Sequence, residues 1–159
     1  MANVKIFDET IEEYDSACEA VRKENAEYLK LFEADLTEKG LSPKTIKNHI
    51  SNVDLFINEF LLREDAQPIE TGIDNLDPFF YFYIHKCMWS TPASVRSMAA
   101  GLKKFYKCMA EHEIIEEEDY VEICEGIKES FCREYISRRS ETSGRGAACQ
   151  NRRLGAGNR

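Results

Sequence analysis

Long apolar runs are missing from this chain. The longest, such as Phe79 to Ile84, fall far below the ~18 residues of a membrane span. The acidic start, Asp8-Glu9 to Glu12-Glu13, is no signal peptide. With 4 prolines and 8 glycines in 159 residues, of which 43% are hydrophobic, collagen-like repetition and disorder throughout are both excluded. The six cysteines (Cys18, Cys87, Cys108, Cys124, Cys132, Cys149) contain no C-x-x-C pair and have no secretory context, so reduced thiols and a cytoplasmic location are expected.

A net charge of -8 argues against nucleic acid only if it is spread evenly, because a uniformly acidic body repels phosphate. It is not spread evenly. Residues 110–132 carry nine acids and one base, whereas 91–109 carry four basic and no acidic side chains.

The apolar spacing predicts an all-α protein of four or five helices. Residues 1–21 read as an acidic arm or a loosely docked helix. From Arg22 to Lys39, Tyr28, Leu29, Leu31, Phe32 and Leu36 recur at helical spacing, and Gly40 supplies the residue that tolerates positive φ past the end. Ser42-Pro43 then reads as an N-cap with proline at the first helical position, before the stripe Ile46, Ile50, Val53, Ile57, Leu61. Asp77-Pro78 repeats that signal ahead of an aromatic helix, expected to be central and buried, and Thr91-Pro92 repeats it before Val95, Met98, Leu102, Phe105 and Met109. A fifth stripe, Tyr120, Ile123, Ile127, Phe131 and Tyr135, follows the acidic first turn Glu116 to Asp119. The compact domain is expected over 22–138, and the Arg/Gly-rich 139–159 as a disordered tail.

Two of these helices open alike, Ser42-Pro43-Lys44-Thr45-Ile46-Lys47 and Thr91-Pro92-Ala93-Ser94-Val95-Arg96, both of the form [ST]-P-x-[ST]-[IV]-[KR]. A hydroxyl cap, open backbone N–H groups at a positive dipole end, a second hydroxyl and a cation suit a phosphate. Both helices also carry basic residues opposite their core stripes. Lys44, Thr45, Lys47 and Asn48 on the first, with Ser94, Arg96, Lys103, Lys104 and Lys107 on the second, are therefore the residues expected to meet phosphate, and the DNA contacts if the phosphates are those of a nucleic acid.

Over roughly 22–138 the sequence resembles the N-terminal core-binding, or SAM-like, domain of phage integrases and other tyrosine recombinases. Leu41-Ser42-Pro43-Lys44-Thr45-Ile46 through Phe56 and Phe60 is similar to the family's L-S-x-x-T-x-x-x-Y-x-x-x-L-x-x-F helix. Ser94-Val95-Arg96 through Leu102, Phe105, Tyr106 and Ile114 is similar to its later T-x-x-x-x-L-x-x-L-x-x-F-Y helix. The chain departs from the family at His49, where an aromatic is common, and in lacking Asn-Pro after Ile114-Ile115. The resemblance implies half of a clamp around double-stranded DNA, in DNA integration and recombination, with other recombinase protomers as further partners.

Catalysis in that family resides on a separate domain, with a tyrosine nucleophile and an H-x-x-R signature. None of His49, His85 or His112 has arginine three residues on. Tyr135 continues the core stripe and is expected to pack inward, so no catalytic residue is assigned and the chain is expected to be no enzyme. No cofactor and no metal is expected either. Cys108 and His112, at i and i+4, offer two zinc ligands, but a tetrahedral site wants four and no partner pair has suitable spacing. The consecutive acids Glu116 to Asp119 point in different directions and read as a solvated first turn. His85 reads as a polar-tipped core or interface residue, and Trp89 as packing a helix junction.

Two other readings compete with DNA binding. One is a helical protein-interaction module whose acidic 110–132 meets a basic partner. The other is one half of a split recombinase acting with a catalytic chain in trans. The DNA reading requires Lys44, Lys47, Arg96 and Lys103 to share one face.

Overall fold

The computed structural model describes the backbone of residues 2–88 and 90–154, and the side chains of 10–88, 90–134 and 136. Five α-helices follow one another: α1 (Ala2–Glu38), α2 (Pro43–Asp54), α3 (Leu76–Lys86), α4 (Pro92–Glu111) and α5 (Glu117–Leu154). A π-helical stretch, Leu55–Phe60, extends α2, and a 3-10 stretch, Ile69–Asn75, leads into α3. There is no strand among the described residues, and the chain is an all-α bundle.

Two helix starts follow the local chemistry of the sequence. Ser42 adopts extended backbone angles and its side chain accepts the Thr45 N–H, while Pro43 needs no N–H partner in the first turn. Thr91 and Ser94 close a reciprocal capping box ahead of α4. Gly40, at φ +78°, makes the turn between α1 and α2, a backbone conformation that side chains with a Cβ resist.

Asp77-Pro78 does not start α3. That helix begins at Leu76, Asn75 makes no side-chain cap bond, and the 3-10 stretch supplies the preceding turn. The Asp77 carboxylate instead accepts hydrogen bonds from the Ser130 hydroxyl and, at 2.9 Å, from Arg133 Nη1, tying α3 to α5. Nor is α3 buried all round. Phe79, Phe80, Tyr83 and Ile84 are buried, but Tyr81 is half exposed.

Helix α1 starts well before Arg22, because its first half finds tertiary partners. Tyr14 donates to the Leu62 carbonyl, and Cys18 is buried. Asn25, also buried, donates to the Ile57 carbonyl at 3.2 Å and to Asn58 Oδ1 at 2.9 Å, anchoring α1 on the π-helical stretch. At the other end α5 extends to Leu154. The side chains of Tyr135 and of 137–159, and the whole of Trp89 and of 155–159, lie outside the described residues, and with them the expected roles of Tyr135, Trp89 and the tail.

The core is one cluster to which every helix contributes. Its centre is aromatic: Phe56 meets Phe79 with ring centroids 4.8 Å apart, Phe60 meets Phe79 at 5.1 Å, and Phe32 meets Phe105 at 5.5 Å. These are edge-to-face contacts, the arrangement that ring quadrupoles favour. The α4 stripe Val95, Met98, Leu102, Phe105, Met109 is fully buried, as its steps of three and four predict, whereas Ile50 on α2 is only partly so.

Candidate nucleic-acid interface

Helices α2 and α4 pack side by side and run antiparallel. Midway along the seam, Asn48 Nδ2 and Asn52 Nδ2 both donate to Ser97 Oγ, at 2.8 and 3.2 Å. Towards one end, Asp54, Leu55 and Glu59 share a groove of about 620 Å³ with Ala93 and Ser94 at the start of α4. At the opposite end, Lys39, just before α2, reaches Glu111 at the end of α4 at 3.4 Å.

The close approach depends on Gly101, where a Cβ would stand 3.1 Å from His49 Nδ1 and 3.7 Å from the Asn52 Cβ. His49 is buried against this seam with Nδ1 unbonded. Burial, and secondarily the charge of Lys104, hold its pKa below the usual histidine value.

At about 100° per residue, the sides of α2 and α4 away from the core turn outward together. Lys44, Lys47 and Asn48 are exposed on α2, and Arg96, Lys104 and Lys107 on α4, with Lys103 half-buried. The hydrogen bond from Asn48 to Ser97 joins the two helices where those outer sides meet. None of Lys44, Lys47, Arg96, Lys103, Lys104 and Lys107 forms an ion pair among the described residues. The only acids in 43–60 are Asp54 and Glu59 at the groove end, and 92–110 contains none.

Thr45 and Ser94 are engaged in their own caps. Thr45 Oγ1 shares a 2.8 Å hydrogen bond with Ser42 Oγ. Ser94 Oγ accepts the Thr91 N–H at 2.8 Å and donates to the Thr91 carbonyl at 3.0 Å. The antiparallel packing also sets the two capped N-termini at opposite ends of the pair, and the α4 end shares its groove with two carboxylates. Charge on the outer face, rather than a pair of adjacent helix ends, is thus the feature that can meet a polyanion. Asn52, Ser97 and Gly101, which set this geometry, show in the sequence only as small or polar residues beside the core stripes.

Elsewhere the acidic segment is exposed. Glu122, Glu125 and Glu129 of α5 face Asp74 and Asp77 across a groove of about 330 Å³. Glu116 to Asp119 are all exposed around the start of α5. His85 Nε2 lies 2.8 Å from Glu134 Oε2, linking α3 to α5. Among the described residues, one group of donors has metal-ligand chemistry: Asp35, Cys108 and His112 each bring an atom within 4.8 Å of the others.

Comparison with known proteins finds no matching family model, no matching curated protein and no matching solved structure.

Proposed function

We propose that the chain binds double-stranded DNA through the outer face of α2 and α4, in the manner of a tyrosine-recombinase core-binding domain, and does not itself cut DNA. The observation that carries this is the set of six cations without ion-pair partners on the neighbouring outer faces of α2 and α4, two helices whose acids, Asp54 and Glu111, stand at their last residues. Elsewhere among the described residues, Lys23, Lys30, Lys39 and Arg133 each pair with a carboxylate, and the cations without such a pair, Arg22, Arg63, Lys86 and Lys128, are scattered singly over other elements. Unpaired cations at this density repel one another, and phosphate relieves that repulsion while releasing counterions.

Lys44, Lys47, Arg96, Lys103, Lys104 and Lys107 supply phosphate contacts, and Asn48 lies between the two basic sets. Contacts of this kind set position and carry little sequence information. The dissociation constant at physiological salt is on the order of micromolar or weaker, since few phosphates are met and the acidic α5 opposes them.

Fluorescence anisotropy with a short labelled duplex tests the reading. Lys103→Glu with Lys107→Glu abolishes binding and leaves the circular dichroism unchanged; unaltered binding in that double variant rejects the face. On a suicide substrate no denaturant-resistant protein–DNA adduct forms, and an adduct lost in Tyr135→Phe refutes the non-enzyme reading.

A second reading rests on the acidic groove of Asp74, Asp77, Glu122, Glu125 and Glu129, which suits a basic protein segment. Glu125→Lys with Glu129→Lys separates the two readings: DNA affinity holds or rises, while a basic partner is lost.

A further inference from the structure

The C-terminal ends of α1 and α4 meet beside the turn at Gly40, and there three side chains of different chemistry converge. Asp35 comes from α1, Cys108 from the last turns of α4, and His112 from the residue that caps α4. The carboxylate, thiol and imidazole donor atoms all lie within 4.8 Å of one another. We infer that Asp35, Cys108 and His112 form a binding site for a zinc-class divalent cation, with a fourth coordination position open to solvent.

The donor set favours that class. Thiolate with imidazole selects borderline and soft metals over magnesium or calcium, and three protein ligands leave a tetrahedral ion one further position. The i and i+4 spacing puts Cys108 and His112 on one side of α4, and the fold adds the ligand that is remote in sequence. Cys108 is buried and Asp35 half-buried, while His112 is exposed. The site is therefore fixed on its inner side and accessible from water on its outer side. Ligand atoms of a tetrahedral zinc stand ~3–4 Å apart, given metal–ligand bonds of ~2.0–2.3 Å. His112, at the end of its helix, needs only a small movement to close that distance.

Charge balance points the same way. Lys39 Nζ lies 2.9 Å from Asp35 Oδ2 and 3.4 Å from Glu111 Oε2, one cation between two carboxylates. The thiolate is the form of Cys108 that ligates a metal, so the ion takes the place of the thiol proton. Uptake of M²⁺ with loss of the thiol proton to water leaves three negative groups against one ammonium and one dication, which sum to zero. Binding thus releases a proton and weakens as pH falls. The large apolar core folds without the ion, so metal adds stability by mass action and is not required for helicity.

Cobalt(II) titration of the chelator-treated full chain tests the site, because tetrahedral thiolate ligation gives an intense sulfur-to-cobalt charge-transfer band and strong visible d–d bands. Saturation at one equivalent is expected, with bleaching by one equivalent of Zn²⁺. Cys108→Ser loses the charge-transfer band, and Cys124→Ser with Cys132→Ser keeps it. His112→Asn and Asp35→Asn each weaken zinc binding at least ten-fold, with unchanged circular dichroism. His112 is exposed, so its variant decides the matter even if Cys108→Ser fails to fold. Absence of saturable uptake, or uptake unaltered in His112→Asn, overturns the site.

Discussion

A Cβ placed on Gly72 would stand 2.0 Å from the Tyr106 hydroxyl oxygen, so the 3-10 stretch and α4 interlock at a position only glycine can occupy. Tyr106 is fully buried, and its hydroxyl donates to the Ile69 carbonyl at 2.8 Å. Burial also raises the Tyr106 pKa well above the usual tyrosine value, so the phenol remains a donor at every pH at which the protein is folded.

Gly72→Ala should destabilise the protein by about 1–3 kcal/mol, the usual penalty for overpacking a close-packed core. Tyr106→Phe alone should cost about 1 kcal/mol through the lost hydrogen bond. Removing the hydroxyl also removes the worst of the clash, so the double variant should be more stable than the two single penalties imply. Urea unfolding of the four proteins gives the coupling, and strict additivity contradicts the interlock.

Thr91→Ala should destabilise by about 1 kcal/mol, because it opens the capping box at the start of α4. Ser94→Ala should act in the same direction and change DNA affinity less than two-fold, since the Ser94 hydroxyl is engaged with Thr91. Thermal melts and anisotropy on the same preparations separate the two effects. A large loss of affinity in a folded Ser94→Ala protein would assign that hydroxyl to phosphate.

These caps were legible in the sequence because their physics is local: Ser42-Pro43 and Thr91-Pro92 lie within one turn of the N–H groups they serve. Asp77-Pro78 carries the same kind of cap-plus-proline signal, but its carboxylate is drawn to Ser130 and Arg133, residues far away in the chain. Between an arm and a docked helix for 1–21 the sequence did not choose, for the same reason, since Tyr14 is held by the remote Leu62 carbonyl. For the interface, periodicity sorts basic from apolar faces on each helix. It does not say that α2 and α4 are neighbours, that they run antiparallel, or that Asp35 joins Cys108 and His112.

His49 should make stability pH-dependent. Its folded pKa lies below the unfolded value of about 6.5. The unfolded chain therefore takes up a proton that folded His49 resists. The associated stability is full above that value and is lost as pH falls through the folded pKa. Melting temperatures between pH 7.5 and 5.5 check this. His49→Phe, which fills the seam without titrating, should lose less stability on acidification than the parent, and identical pH profiles would contradict the assignment.

The salt dependence of duplex binding tests the α2/α4 face most directly. Each phosphate contact removed lowers the slope of log K against log salt by roughly 0.9. The folded variant Lys44→Gln, Lys47→Gln, Arg96→Gln, Lys107→Gln should bind more weakly than the parent at every salt concentration, with a slope shallower by about 3–4. A slope and affinity equal to the parent's would show that DNA does not meet this face.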